Sequence, residues 1–382
     1  MEKDSSVLRI DMGDKKYHYI EITSEDWCIK GDGDKYFSRN NRQAELPLPQ
    51  KGGDIDLLFQ YCRVPEDMQN VFIAYVVSCF IDIIHPCLVI QGVAGSSKST
   101  LSKFLKMIID PCVNNAPCIF PKSETELKDI YNSNYFVAYD NLQRLNYKQS
   151  DYLCSIVTGS QVLRRKLYTD SETCQYDLRQ PIVLNGISGI ISKEDMLDRS
   201  IIMELPPISQ RERKSERKLM EDFQNDLPSI LGGIMDILSL VLATYEADSV
   251  DCPPRLIDFY EYGYYICEAV EVGRGEVFCQ EYWNAIELQR NEYKENDNLI
   301  PIIDKFLDYS ENEWLGTMGE LCEELQDFEL EWKDKGVRSV IPPTPNRLSR
   351  EINAIRHSLE SAGISVEYTA NSKNCKVIKI YK

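Results

Sequence analysis

The chain has 382 residues, 43% of them hydrophobic and 27% charged, so it can bury more than one core and has the composition of an ordinary globular protein. A formal net charge of −18 excludes a broadly basic, nucleic-acid-wrapping surface. Thirteen cysteines form no C-x-x-C pair, and the three histidines stand in no zinc-like spacing with them. The odd count and the lack of a secretory leader make reduced thiols and a cytoplasmic location the expectation.

In chain order, residues 1–50 alternate in short runs such as VLRIDM and YHYIEI with Gly-Asp turns, which predicts a small β-rich module. The stretch LPLPQKGG reads as the linker that closes it. VFIAYVVSCFIDIIHPCLVI, residues 71–90, is long enough to span a bilayer, but Asp82, His85 and Pro86 interrupt it. A buried helix to about Ile84, a break at Pro86 and a buried strand Cys87–Gln91 is the expectation, with no membrane partner.

GVAGSSKST follows, Gly92, Val93, Ala94, Gly95, Ser96, Ser97, Lys98, Ser99 and Thr100. Behind it Leu101, Phe104, Leu105 and Ile108 recur at helical spacing. Strand, glycine-containing turn and helix is the order in which backbone N–H groups and a helix N-terminus face an anion. In such a loop Lys98 reaches the β- and γ-phosphates of a nucleoside triphosphate and Ser99 completes a magnesium shell. Ser97 departs from G-x-x-x-x-G-K-[ST]. If its position needs positive φ, serine costs about 1 kcal/mol relative to glycine. A serine-rich helix cap with an incidental lysine is the competing reading.

Downstream, YFVAY ends in Asp140-Asn141, and a carboxylate at a strand end can hold magnesium through its water shell. SQVLRRKLYTDSETCQYDLRQ, residues 160–180, reads as strand, polar turn, strand, with Arg164, Arg165, Lys166 and Tyr168 on its rising limb. Basic residues beside an aromatic suit single-stranded nucleic acid, and a charged, solvated hairpin edge is the alternative. PIVL ends in Asn185-Gly186, either an ordinary turn or an amide facing a γ-phosphate. Asp198-Arg199 then precedes SIIMEL, either as a surface ion pair or as an arginine given to a neighbouring subunit.

As a set, GVAGSSKST, YFVAYDN, PIVLNG and DMLDRS resemble the Walker A, Walker B, sensor 1 and arginine-finger motifs of AAA+ ATPases. More narrowly, LYTD, RQPIVLNGI and DMLDRSIIMELPPI resemble superfamily 3-like and MCM-like replicative helicases of phages, plasmids and integrative elements. The likeness covers about Leu46 to Arg290. It implies that Lys98 and Ser99 bind the phosphates and Mg2+ of ATP, that Asp140 is the Walker B acid and Asn185 sensor 1, and that Arg199 acts in trans within a homo-oligomeric ring, a hexamer. It also implies that the hairpin points into a pore that carries DNA. Asn141 stands where the family has a glutamate. An amide orients water but takes no proton, so slow hydrolysis or a substitute acid, Glu124 or Glu126, is expected.

The resulting fold class is α/β: a P-loop AAA+ core with a parallel sheet (51–206), a helical lid (207–296), the N-terminal module (1–50) and a C-terminal winged helix (297–382). Arg255, at the start of the PPRLIDF helix, is either a lid contact to nucleotide or a surface charge. In the last segment Leu348, Ile352, Ile355 and Leu359 give one helix an apolar face. Seven Lys/Arg against three Glu in residues 344–382, with Arg347 and Arg350 on that helix, suit a DNA duplex or a protein-docking wing. The expected activity is an ATP-driven DNA helicase or translocase in mobile-element replication, primed by a separate primase. The alternative is an AAA+ switch that remodels a protein partner.

Overall fold

The computed structural model describes residues 7–165, 173–191, 193–209, 215–247, 254–296, 299–332, 341–370 and 376–382. It divides into two compact units, Met1–Ile286 and Glu287–Lys382.

The first unit opens with an antiparallel meander of β1 (Leu8–Asp11), β2 (Tyr19–Ile22) and β3 (Trp27–Lys30). Helix α1 (Gln69–Ser78) is apolar on every side and buried almost throughout. It stops six residues short of the expected Ile84. His85 Nε2 lies 2.8 Å from the Ser78 carbonyl, and Ile81 N–H donates to the same oxygen at 2.8 Å, so the last turn tightens and the chain turns away.

Next come β4 (Cys87–Gln91), α2 (Lys98–Ile109), α3 (Glu124–Ser133), β5 (Val137–Leu142) and α4 (Tyr147–Thr158). The hairpin β6 (Ser160–Arg165) and β7 (Thr173–Leu178) forms a two-stranded sheet of its own. After it follow β8 (Ile182–Gly186), α5 (Glu194–Leu197) and β9 (Ser200–Glu204). The central sheet is parallel, in the order β5-β8-β4-β9, with Ile90 opposite Asn185 and Val89 opposite Ile202. Strand β5 begins two residues later than its apolar run, because the Tyr135 and Phe136 N–H groups donate to Asp110 Oδ2 at 2.9 and 3.0 Å rather than to a neighbouring strand.

Three helices complete the unit: α6 (Glu216–Thr244), α7 (Ile257–Val270) and α8 (Arg274–Asn296), the last of which runs across the division. Helix α6 is long and apolar enough to cross a bilayer, but its apolar window is 61% buried within the protein. Phe223 stacks on Phe104 of α2 at 4.1 Å. The expected linker LPLPQKGG is no free tether. Gln50 N–H donates to the Pro228 carbonyl at 2.8 Å, and a Cβ on Gly232 would fall 1.6 Å from the Gln50 oxygen. The segment is threaded against α6 wherever glycine permits it, and residues of the β meander, the sheet and α6 to α8 share one core.

The second unit contains α9 (Leu299–Tyr309), β10 (Glu313–Gly316), α10 (Met318–Trp332), α11 (Pro345–Ala354), α12 (Arg356–Ser361), β11 (Ser365–Ala370) and β12 (Lys376–Tyr381). The sheet order is β10-β12-β11, antiparallel. The sequence shows no sign of β10, whose four residues are too few for a periodic signal. The expected third helix is two, divided at Ile355, and Leu348, Ile352, Ile355 and Leu359 face the core as their spacing requires.

Candidate phosphate site and its distant arginine

The turn between β4 and α2 takes positive φ at Gly92 (146°), Gly95 (83°) and Ser97 (66°). The non-glycine at position 97 therefore carries the strain expected of it. Ser97 is the N-terminal flanking residue of α2, yet its side chain makes no capping hydrogen bond, which removes the cap reading. Lys98 Nζ donates into the loop, to the carbonyls of Gly92 (2.6 Å) and Val93 (2.9 Å) and to Ser96 Oγ (3.3 Å). Partial burial lowers the Lys98 pKa, and the Asp140 carboxylate opposes that shift. The Gly92 N–H, held by the Ile187 carbonyl at 3.0 Å, ties the loop to the chain leaving β8.

Across the sheet, Ser99 Oγ donates to Asp140 Oδ2 at 2.6 Å. The first turn of α2 and the end of β5 thus bring together a hydroxyl and a carboxylate, both hard oxygen ligands. They fit a magnesium ion bound by few protein groups and completed by phosphate. Among the described residues no cluster of three His, Cys, Asp or Glu offers an all-protein metal cage. Asp140 Oδ1 accepts from the Asn141 N–H at 2.8 Å. Asn141 is exposed and sits at φ 56°, where β5 slips register against β8 between Tyr139 and Leu142. Asparagine tolerates that left-handed backbone better than glutamate does.

Two expected residues are placed differently. Asn185 lies on β8 near the loop but is fully buried, and its Nδ2 donates to Ser102 Oγ of α2 at 2.7 Å. Its Oδ1 is buried without a hydrogen-bond partner. Glu126 is committed to the start of α3, where its carboxylate accepts from Lys122 N–H at 3.0 Å and its own N–H donates to Ser123 Oγ. The side chain of Glu124 lies outside the described residues.

Arg199 stands at the opposite end of the sheet. Its carbonyl accepts from Cys87, the first residue of β4, at 2.8 Å. The candidate phosphate loop leaves the other end of this five-residue strand, roughly 15 Å away. The Arg199 guanidinium donates to the Asp195 carbonyl at 2.7 Å and forms an ion pair with its carboxylate. Arg255 reaches the same carboxylate at 3.2 Å and Asp198 at 3.7 Å, so it lies beside Arg199. Partial burial pushes the Asp195 carboxyl up, but the bond and charge of Arg199, with smaller contributions from Cys154 and Arg255, hold it below the usual carboxylate value. Sequence reasoning missed Asp195, whose only signal was its i, i+4 spacing to Arg199.

On β6, Arg164 and Arg165 pair with Cys174 and Thr173 of β7. Lys166 and Tyr168 lie outside the described residues. Arg347 and Arg350 are exposed on α11, with Arg347 3.6 Å from Glu351. Other basic residues of this unit face acids: Lys379 with Glu313 (3.1 Å), Lys382 with Asp304 (2.8 Å) and Arg356 with Glu360 (3.4 Å).

The sequence model of the actinomycete integrative conjugative element replication proteins matches residues 55–285, more than half of the chain. The chain belongs to this family. The model of the AICE RepA C-terminal domain matches residues 300–382. In this replication protein the first match takes in the phosphate loop, Asp140, the hairpin and Arg199, and the second falls within the second unit. No curated protein matches the chain. Among solved structures, the apo C-terminal region of NrS-1 aligns over 100% of this chain and 99% of its own, at 11% identity and a TM-score of 0.40. A JCV helicase with a small molecule bound aligns over 56% of this chain and 63% of its own, at 13% identity and a TM-score of 0.33. Likenesses this distant carry no part of the functional reading.

Proposed function

We propose that this replication protein is an ATP-dependent, ring-forming DNA helicase or translocase that hydrolyses ATP between subunits while it replicates its element. The observation that carries the reading is the 2.6 Å bond between Ser99 and Asp140, beside a turn whose carbonyls hold the Lys98 ammonium. In this reading the loop N–H groups and Lys98 hold the β- and γ-phosphates, and Ser99 and Asp140 would hold magnesium. Bound there, the ion would polarise the phosphate oxygens. Asn141 orients the attacking water, and Asn185 holds the P-loop helix to the sheet through Ser102. The position of Arg199, a strand's length from its own loop, supports action on a neighbouring copy's nucleotide, and hence a ring, a hexamer by the family resemblance.

The β6–β7 hairpin would track single-stranded DNA in the pore, and helices α6 to α8 would act as the lid. The helix and strand order of the second unit, with β12 between β10 and β11, supports a winged helix. Its internal ion pairs favour docking to a protein, such as a separate primase, over a broad duplex contact. The test is ATP turnover with and without single-stranded DNA, run beside a mass measurement of the assembly. The reading requires DNA-stimulated turnover that rises with assembly and is lost in Lys98→Ala. Full turnover by a monomer, or indifference to DNA, would leave the protein-remodelling switch in its place.

A further inference from the structure

The Arg199 guanidinium is held within its own chain. Its side chain is 11% exposed, and both hydrogen bonds go to one residue a turn earlier on its own chain. Its Nε is buried without a partner, so storage leaves one polar group unsatisfied. Asp195, by contrast, is 56% exposed and shares its Oδ1 with Arg255, itself 43% exposed. One carboxylate oxygen therefore serves two guanidinium groups, one covered and one at the surface.

We propose that Asp195 is a positioning residue that parks Arg199 within its own subunit, and that Arg255 is the counter-cation that allows release. This rests on the reading that Arg199 acts on the adjoining copy. If Arg199 left, Asp195 would lose the cation that both bonds and pairs with it. With Arg255 already at 3.2 Å from Asp195 and also near Asp198, the carboxylate exchanges one guanidinium for another and keeps its compensation. Binding of a neighbour's triphosphate then competes with one shared ion pair and one hydrogen bond to the Asp195 carbonyl. Hydrolysis is held back until two copies meet, because the free subunit keeps its arginine occupied.

The experiment is the per-subunit ATPase rate of the full chain with saturating Mg-ATP and single-stranded DNA, followed against protein concentration. Asp195→Asn keeps the shape but removes the charge, so the half-maximal concentration is expected to fall about fivefold with the plateau retained. Asp195→Ser repeats the test with a second side chain, and melting curves confirm that the variants fold. Arg255→Ala should move the midpoint the opposite way. In the Asp195→Asn background it should have little further effect, since no carboxylate then needs compensating. A plateau that collapses in Asp195→Asn would mean that Asp195 holds Arg199 in its working place, and an unchanged midpoint would mean there is no latch. A plateau lost on Arg255→Ala even beside Asp195→Asn would make Arg255 a nucleotide ligand and overturn its role as counter-cation. Arg199→Ala separates the two levels. If it keeps full activity, the trans-acting arginine and the latch both fall; if it is inactive while Asp195→Asn behaves as wild type, only the latch falls.

Discussion

Ser97 and Asn141 are both non-glycine residues in the left-handed region, and both flank the phosphate site. Strain of this kind persists where the surrounding structure enforces it, and it gathers at functional positions. At position 97 the loop geometry wins over the residue's preference, so Ser97→Gly should raise unfolding free energy by about 1 kcal/mol while leaving nucleotide binding intact. Denaturant titration and calorimetry with ATP check the two halves, and lost affinity would make the Ser97 hydroxyl a ligand. Asn141→Gly suits φ 56° and removes the amide with its methylene. Its stability should hold while kcat falls roughly tenfold if the amide orients water. Equal turnover in wild type and variant would take Asn141 out of the reacting shell. The turn between β4 and α2 was legible because its residues are consecutive and their strand–turn–helix setting is local. The bonding of Arg199 was not legible, since Arg255, just ahead of α7, meets Asp195 only once the chain has folded.

At the scale of elements, the strands and helices flanking the loop were readable because each is a short apolar run with a single period. The LPLPQKGG segment was not. Proline and glycine signal a linker, and only the tertiary fold reveals that its glycines allow a close crossing with α6. Gly232→Ala would drive a methyl group to 1.6 Å from the Gln50 carbonyl, a contact with backbone that cannot move aside cheaply. A loss of roughly 3 kcal/mol or more is expected in urea unfolding. Gly319→Ala, whose Cβ would meet nothing closer than 3.8 Å in α10, is the control and should not destabilise. The early end of α1 was equally hidden, because it depends on a buried imidazole. Burial pushes the His85 pKa down to about 4, against an upward pull from its bond to Ser78. The unfolded chain therefore binds a proton near pH 6.5 that the folded chain refuses. Stability should be complete above pH 6.5 and fall as pH drops from 6.5 towards 4, by on the order of 3 kcal/mol from this group. Urea midpoints at pH 7 and pH 5 check it, and His85→Gln should flatten the difference.

For the molecule as a whole, a net charge of −18 is what the proposed nucleic-acid motor has to accommodate. The proposed ring would do so. Each copy would contribute one hairpin, so that Arg164, Arg165 and Lys166 would repeat around a pore while the acidic exterior discouraged non-specific contact. Backbone phosphates held by these residues would release counterions, and a single-stranded site loses about 0.7 in the slope of log K against log salt for each contact. Replacing all three by alanine should therefore flatten that slope by roughly 2 per engaged subunit and abolish DNA-stimulated turnover. Basal turnover should persist, because the phosphate loop is untouched. Fluorescence titration of a labelled oligonucleotide across a salt series supplies the slope. If the triple variant keeps both the slope and the stimulation, DNA runs elsewhere, and the exposed α11 face with Arg347 and Arg350 is the next surface to test. If the slope flattens while stimulation survives, the hairpin grips DNA without coupling it to hydrolysis.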